Sequence, residues 1–133
     1  MEKLKFYLGL PCSARQRSLF RTRPPMDKSA FISSVIECGG DEDAAGFVWE
    51  SLAQWILFDG FTPNPEDSLY RVFGIAGEEV DDDIVLNYLD TSGLSVQVAQ
   101  RLAPDSVDSA LEICQFISRV RSFEFPSGHE LQP

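Results

Sequence analysis

Asp41-Glu42-Asp43-Ala44-Ala45-Gly46-Phe47-Val48-Trp49-Glu50-Ser51-Leu52-Ala53-Gln54-Trp55-Ile56 decides the fold class of this chain. Ala45, Val48, Trp49, Leu52, Trp55 and Ile56 recur every three or four residues, a spacing that gathers them on one face of a helix. Asp41 is the expected N-cap, and Glu42 and Asp43 set negative charge against the positive end of the helix dipole. Asp59-Gly60 ends the pattern. Phe61-Thr62-Pro63-Asn64-Pro65 cannot continue a helix, because each proline lacks an amide donor and holds its predecessor in extended conformations.

The same reading extends in both directions. Upstream, Asp27 caps a helix carrying Phe31, Ile32, Val35 and Ile36, which Gly39-Gly40 stop with residues tolerant of positive φ. Downstream, Pro65-Glu66-Asp67 suits the first turn of a short helix with Leu69, Tyr70, Val72 and Phe73, ended by Gly74. A fourth helix begins within Glu78, Glu79, Asp81, Asp82 and Asp83, continues through Ile84, Val85, Leu86, Tyr88 and Leu89, and closes at Thr91-Ser92-Gly93. Ser95 to Leu102 is a fifth. Asp105-Ser106-Val107-Asp108 opens a sixth along Ala110, Leu111, Cys114, Ile117 and Val120, with Arg119 and Arg121 at the end that prefers cations. From Ser122 to Pro133 an irregular tail is expected, with Phe123 and Phe125 packing back. The expectation is a mainly α protein, a compact single-domain bundle of about five or six short helices over residues 26–133.

Composition agrees with a folded chain: 133 residues, 44% hydrophobic and 11% aromatic, match one ordinary domain. No apolar run approaches the roughly 20 residues needed to cross a bilayer, so no membrane span is expected. Lys3 and Lys5 before Phe6-Tyr7-Leu8-Gly9-Leu10 imitate a signal peptide, but Pro11, Arg15 and Arg17 interrupt the apolar stretch early. Cys12, Cys38 and Cys114 contain no C-x-x-C pair and are odd in number, which suits a reducing cytoplasm rather than a disulfide framework or zinc site. Cys38 and Cys114 fall in helical patterns and are expected in the core, with Cys12 accessible. Trp49, Trp55, Phe58 and Phe61 cluster near the proline loop, either as the aromatic centre of the core, the favoured reading, or as a self-association surface.

Charge is uneven. The net charge is −10, yet residues 1–28 carry +5 and the remainder −15, so the two parts should attract one another. Residues 1–25 are expected as an irregular basic arm, with a short strand at Leu4 to Leu8 where composition favours extended chain. Such an arm reads as a nucleic-acid or membrane-surface tail, as a strap over the acidic body, or as residues preceding a start at Met26.

Chemistry is sparse. The only histidine, His129, is a poor base position in the tail, and there is no G-x-x-x-x-G-K-[ST] or G-x-G-x-x-G loop. The segment from Asp41 fails the calcium-loop pattern at Ala45 and Leu52, and Asp81-Asp82-Asp83 fails at Val85 and Leu86. No metal, cofactor or catalytic residue is expected. Asp105-Ser106-Val107-Asp108-Ser109-Ala110-Leu111-Glu112 resembles the Asp-Ser-Leu segment of acyl carrier proteins. That resemblance implies phosphopantetheine on Ser106 at a helix start. It covers eight residues, replaces the usual leucine with Val107, and leaves only 27 residues after Ser106. The reading preferred here is a non-catalytic protein, inhibitor-like or an adaptor, that meets a basic protein partner through Glu78, Glu79, Asp81, Asp82 and Asp83, with Asp41, Glu42 and Asp43 as a second patch. Its rivals are a carrier or small enzyme using Ser106 or Cys12, and nucleic-acid binding through the basic arm.

Overall fold

A computed structural model describes residues 2–103 and 107–124, with side chains from Pro11 onward. The chain is mainly α: α1 (Glu2–Thr22), α2 (Lys28–Glu37), α3 (Glu42–Leu52), α4 (Leu69–Phe73), α5 (Gly77–Glu79), a π-helical segment (Val80–Leu86), α6 (Asn87–Ser92), α7 (Val96–Leu102) and α8 (Ala110–Glu124). Among the described residues there is no strand, only one isolated bridge between Ser68 and Ser109. The helices expected downstream of Met26 correspond to α2, α3, α4, the continuous run 77–92, α7 and α8.

The caps show why the boundaries fall where they do. Asp27 accepts the Ala30 amide and Asp41 the Ala44 amide, each satisfying a donor left open at a helix start. Gly39, with φ +83°, turns the chain out of α2. Gly40 then passes so close to the body that a Cβ there would collide with Val35 Cγ1 and stand 3.0 Å from Cys114 Cβ. The core lies where α2, α3 and α8 meet the shorter helices, with Phe31, Leu52, Leu69, Ile84, Leu89, Ile113 and Ile117 fully buried. Phe61 is buried, and Trp49, Trp55 and Phe58 are half-buried against that core. Phe31 meets Trp49 edge-on at 5.1 Å between ring centres, which places these aromatics in the core as expected.

Four expectations need correction. First, the basic N-terminal segment is not irregular and carries no strand at Leu4 to Leu8: α1 is a continuous helix with Pro11 inside it. Cys12, Gln16, Leu19 and Arg23 fall at i, i+4, i+7 and i+11, so they share the face turned to the body. Gln16, fully buried, receives the Leu57 and Phe58 amides at 2.7 and 3.1 Å and donates to the Trp55 and Val72 carbonyls at 3.2 and 2.8 Å. Arg23 grips Asp67 with two bonds of 2.7 Å, the fork geometry that suits a carboxylate.

Second, α4 starts at Leu69. Asp67 serves Arg23 and the Asn64 amide instead of a helix turn, and Ser68 caps by accepting the Arg71 amide. Third, α8 begins at Ala110, where Ser109 Oγ accepts the Glu112 amide, so the cap lies beyond the Asp105-Ser106 position read as its start. The helix then continues through Glu124, and Phe123 is exposed rather than packed back. Phe125 and the rest of the expected tail lie outside the described residues. Fourth, the cysteines exchange places: Cys12 is buried on the inner stripe of α1, while Cys38, one residue past the last turn of α2, is exposed.

Gly40 provides a direct check on the junction of α2, α3 and α8. Gly40→Ala is expected to cost about 1–3 kcal/mol through overpacking against Val35 and Cys114. Urea denaturation measures this, and an unchanged midpoint would show that the approach at Gly40 is not constrained.

Candidate functional site

The two acidic patches have different fates. At the first, α3 brings Asp41 and Asp43 beside Tyr88 of α6 and Arg121 of α8. Arg121 Nε donates to Asp41 Oδ1 at 2.7 Å, and its Nη2 reaches Asp41 Oδ2 at 3.3 Å and the Tyr88 hydroxyl. That hydroxyl donates to Asp43 Oδ2 at 2.8 Å. Asp41 therefore caps its own helix and anchors α8 with one carboxylate, and its side chain is only 11% exposed. Glu42 and Asp43 are exposed, and of the two only Glu42 has no polar partner among the described residues. This arrangement consumes Asp41 and Asp43 in holding helices together.

Electrostatics follow from that packing. Burial, then the hydrogen bond to Asp43, raises the Tyr88 phenol well above its ordinary value. Burial pushes the Cys114 thiol up to about 12, assisted by the Asp41 charge. Cys12 is raised as well by burial, offset in part by Arg15, and its thiol points at the Arg71 carbonyl at 3.3 Å. A buried thiol with a raised pKa is a weak nucleophile, so Cys12 lacks the exposed, electropositive surroundings of a reactive cysteine. Ser106 lies outside the described residues.

The second patch is free. Glu78, Asp81, Asp82 and Asp83 are exposed, and among the described residues none of them is in an ion pair. Glu79 is half-buried, because its carboxylate turns back to accept the Ala76 amide at the start of α5. The local sequence accounts for this. Val80, Ile84 and Val85 must face inward, which leaves Asp81, Asp82 and Asp83 on the outside of the same turns.

Of these acids, Asp81 lines an apolar groove. Gly77, Asp81, Val85, Leu86 and Leu89 form one wall, Val96, Ala99, Gln100 and Ala103 of α7 the other, and Phe116 and Val107 complete it. The groove has a volume of about 390 Å³ and is partly open to solvent. Two causes produce it. The wider π-helical turn presents both Val85 and Leu86 to the groove, and α7 offers Ala99 and Ala103 where larger side chains would fill the space. Leu86 and Val96 remain 40% and 37% exposed on its lips. A larger depression beside Cys38, Gln115, Arg119 and Phe123 is shallower and has fewer apolar walls. The groove was not foreseen from sequence, in which Ser95 to Leu102 reads only as a helix.

Among the described residues, no cluster of His, Cys, Asp or Glu is arranged to hold a metal ion. None of their helices is long and apolar enough to cross a membrane. Comparison with protein-family models, curated proteins and solved structures gives no match.

The raised thiols and phenol have a sign. Each group keeps its proton in the folded chain at a pH where the unfolded chain has lost it, so their contribution is complete below the unfolded pKa and declines above it. Stability should therefore fall from about pH 8.5, where an unfolded thiol ionises, and more steeply above about pH 10, where an unfolded phenol joins it. In denaturation measured across pH, Cys114→Ala should flatten the first limb and Tyr88→Phe the second. Parallel curves for parent and variants would contradict the burial of both groups.

Proposed function

We propose that this protein acts by binding a basic protein partner, as an inhibitor or adaptor rather than as a catalyst, through Glu78, Asp81, Asp82 and Asp83. One observation carries the reading: these four exposed carboxylates stand without cationic partners among the described residues, and Asp81 among them lines the apolar groove. Three other acids are in ion pairs, Asp41 with Arg121, Asp67 with Arg23 and, at the surface, Glu50 with Lys28. Unmatched charge of one sign raises the encounter rate with a surface of the other sign and discriminates among partners. The free thiols of Cys12, Cys38 and Cys114 support a reducing compartment, and we place the protein in the cytoplasm.

The test is capture from native lysate by the parent chain and by a form with Glu78→Gln, Asp81→Asn, Asp82→Asn and Asp83→Asn. A basic protein retained by the parent should be released at moderate salt. Its association rate should fall on the order of tenfold with the neutral form while dissociation changes little. An association rate unchanged by the four substitutions would contradict the proposal.

A second reading has one observation in its favour: Arg15, Arg17 and Arg21 are exposed on α1, and such cations suit nucleic-acid phosphates. Deleting the segment would uncover the body beneath Gln16, so substitution is the better probe. Under this reading, salt-sensitive retention on heparin disappears when the three arginines become alanine; retention that survives rejects it.

A further inference from the structure

We infer that the groove between the 77–89 run and α7 receives one amphipathic helix of a basic partner, its apolar side chains seated in the groove and its lysines or arginines facing Asp81 and the neighbouring Glu78 and Asp82. The inference rests on the binding reading above and specifies the part of the partner that is recognised.

Three features select this occupant. The first is the pairing of surfaces: Val85, Leu89, Ala99 and Phe116 make an apolar floor, Asp81 supplies negative charge on the wall, and the exposed Glu78 and Asp82 follow the lining residues Gly77 and Asp81 in the chain. An occupant must be apolar on one side and cationic at its edges. The second is shape. The cleft is partly open to solvent, so a segment that continues beyond it can be seated there. The third is the nature of the walls. Both are helices, and no sheet edge exists among the described residues to accept an extended strand, so a third helix laid between them is the recognition mode available. Leu86 and Val96, exposed on opposite lips, are placed to close over its apolar side chains.

Gly77 offers a clean way to obstruct this site. It lines the groove, and a Cβ there would meet nothing within 4 Å, so a large side chain can be added without displacing the body. The probe is a synthetic peptide of about 18 residues with leucines at i, i+3, i+4 and i+7 spacing and lysines elsewhere; its control has serines in place of the leucines. Binding to the full chain at moderate salt is read by fluorescence anisotropy, and its location by chemical-shift changes at Val85, Val96, Ala99 and Phe116. The parent should bind the leucine probe, and Gly77→Trp should weaken it on the order of tenfold, the loss typical of a blocked central contact. Val96→Lys, a surface substitution on the other lip, should act in the same direction, and the serine control should bind all forms equally weakly.

If Gly77→Trp and Val96→Lys bind like the parent, or the parent fails to bind the leucine probe, the groove inference is overturned. Loss of binding in the neutral form of the acidic margin alone, with both groove variants unaffected, overturns the groove and leaves the acidic-face reading standing. A probe insensitive to every substitution removes both.

Discussion

A single buried amide ties the basic segment to the rest of this protein. Gln16, with no exposed surface, answers four backbone groups from two separated stretches: the amides of Leu57 and Phe58, and the carbonyls of Trp55 and Val72. Left unpaired in the interior, each of those groups would cost about 1–3 kcal/mol. Two of them arise at places where helical bonding runs out, since Val72 lies in the last turn of α4 and Trp55 at the end of a short 3-10 turn after α3. The Cys12 thiol adds to this by meeting the Arg71 carbonyl in the same turn of α4. Helix α1 thus completes the hydrogen bonding of segments too short to complete their own.

The distribution of charge follows from that attachment. Arg23 at the end of α1 is delivered to Asp67, and its guanidinium also lies 5.4 Å from the centre of the Phe61 ring. On the opposite side, Asp41 binds Arg121 and caps α3 with the same carboxylate. What separates these acids from Glu78, Asp81, Asp82 and Asp83 is the presence of a cation fixed by packing. Around the 77–86 run no helix supplies one among the described residues, so the carboxylates remain available where the apolar groove opens.

Much of the fold was legible in the sequence because hydrophobic spacing and caps agreed. Asp27 and Asp41 cap as their positions suggest, and Gly74 and Gly93 end helices in the left-handed conformation. Helix α1 was not legible, for a physical reason. Among the described side chains, the face it turns inward is Cys12, Gln16, Leu19 and Arg23, a helical stripe whose apolar pattern Gln16 and Arg23 interrupt, and Pro11 signals a break. The acidic residues were legible as a set but not in their roles: nothing in the local sequence shows that Asp41 and Asp43 meet Tyr88 and Arg121, which are distant in the chain. The groove was invisible for another reason, since it arises from what Ala99 and Ala103 leave unfilled, not from a residue with chemistry of its own.

Native-state hydrogen exchange tests the central claim, the docking of α1 through Gln16. In the parent chain the amides of Leu57 and Phe58 and those of residues 14–21 should be protected and should exchange through a common opening. Gln16→Leu should release that whole group while the amides of α8 keep their protection. Residues 14–21 exchanging freely in the parent, or protection of Leu57 and Phe58 unchanged in Gln16→Leu, would contradict the account.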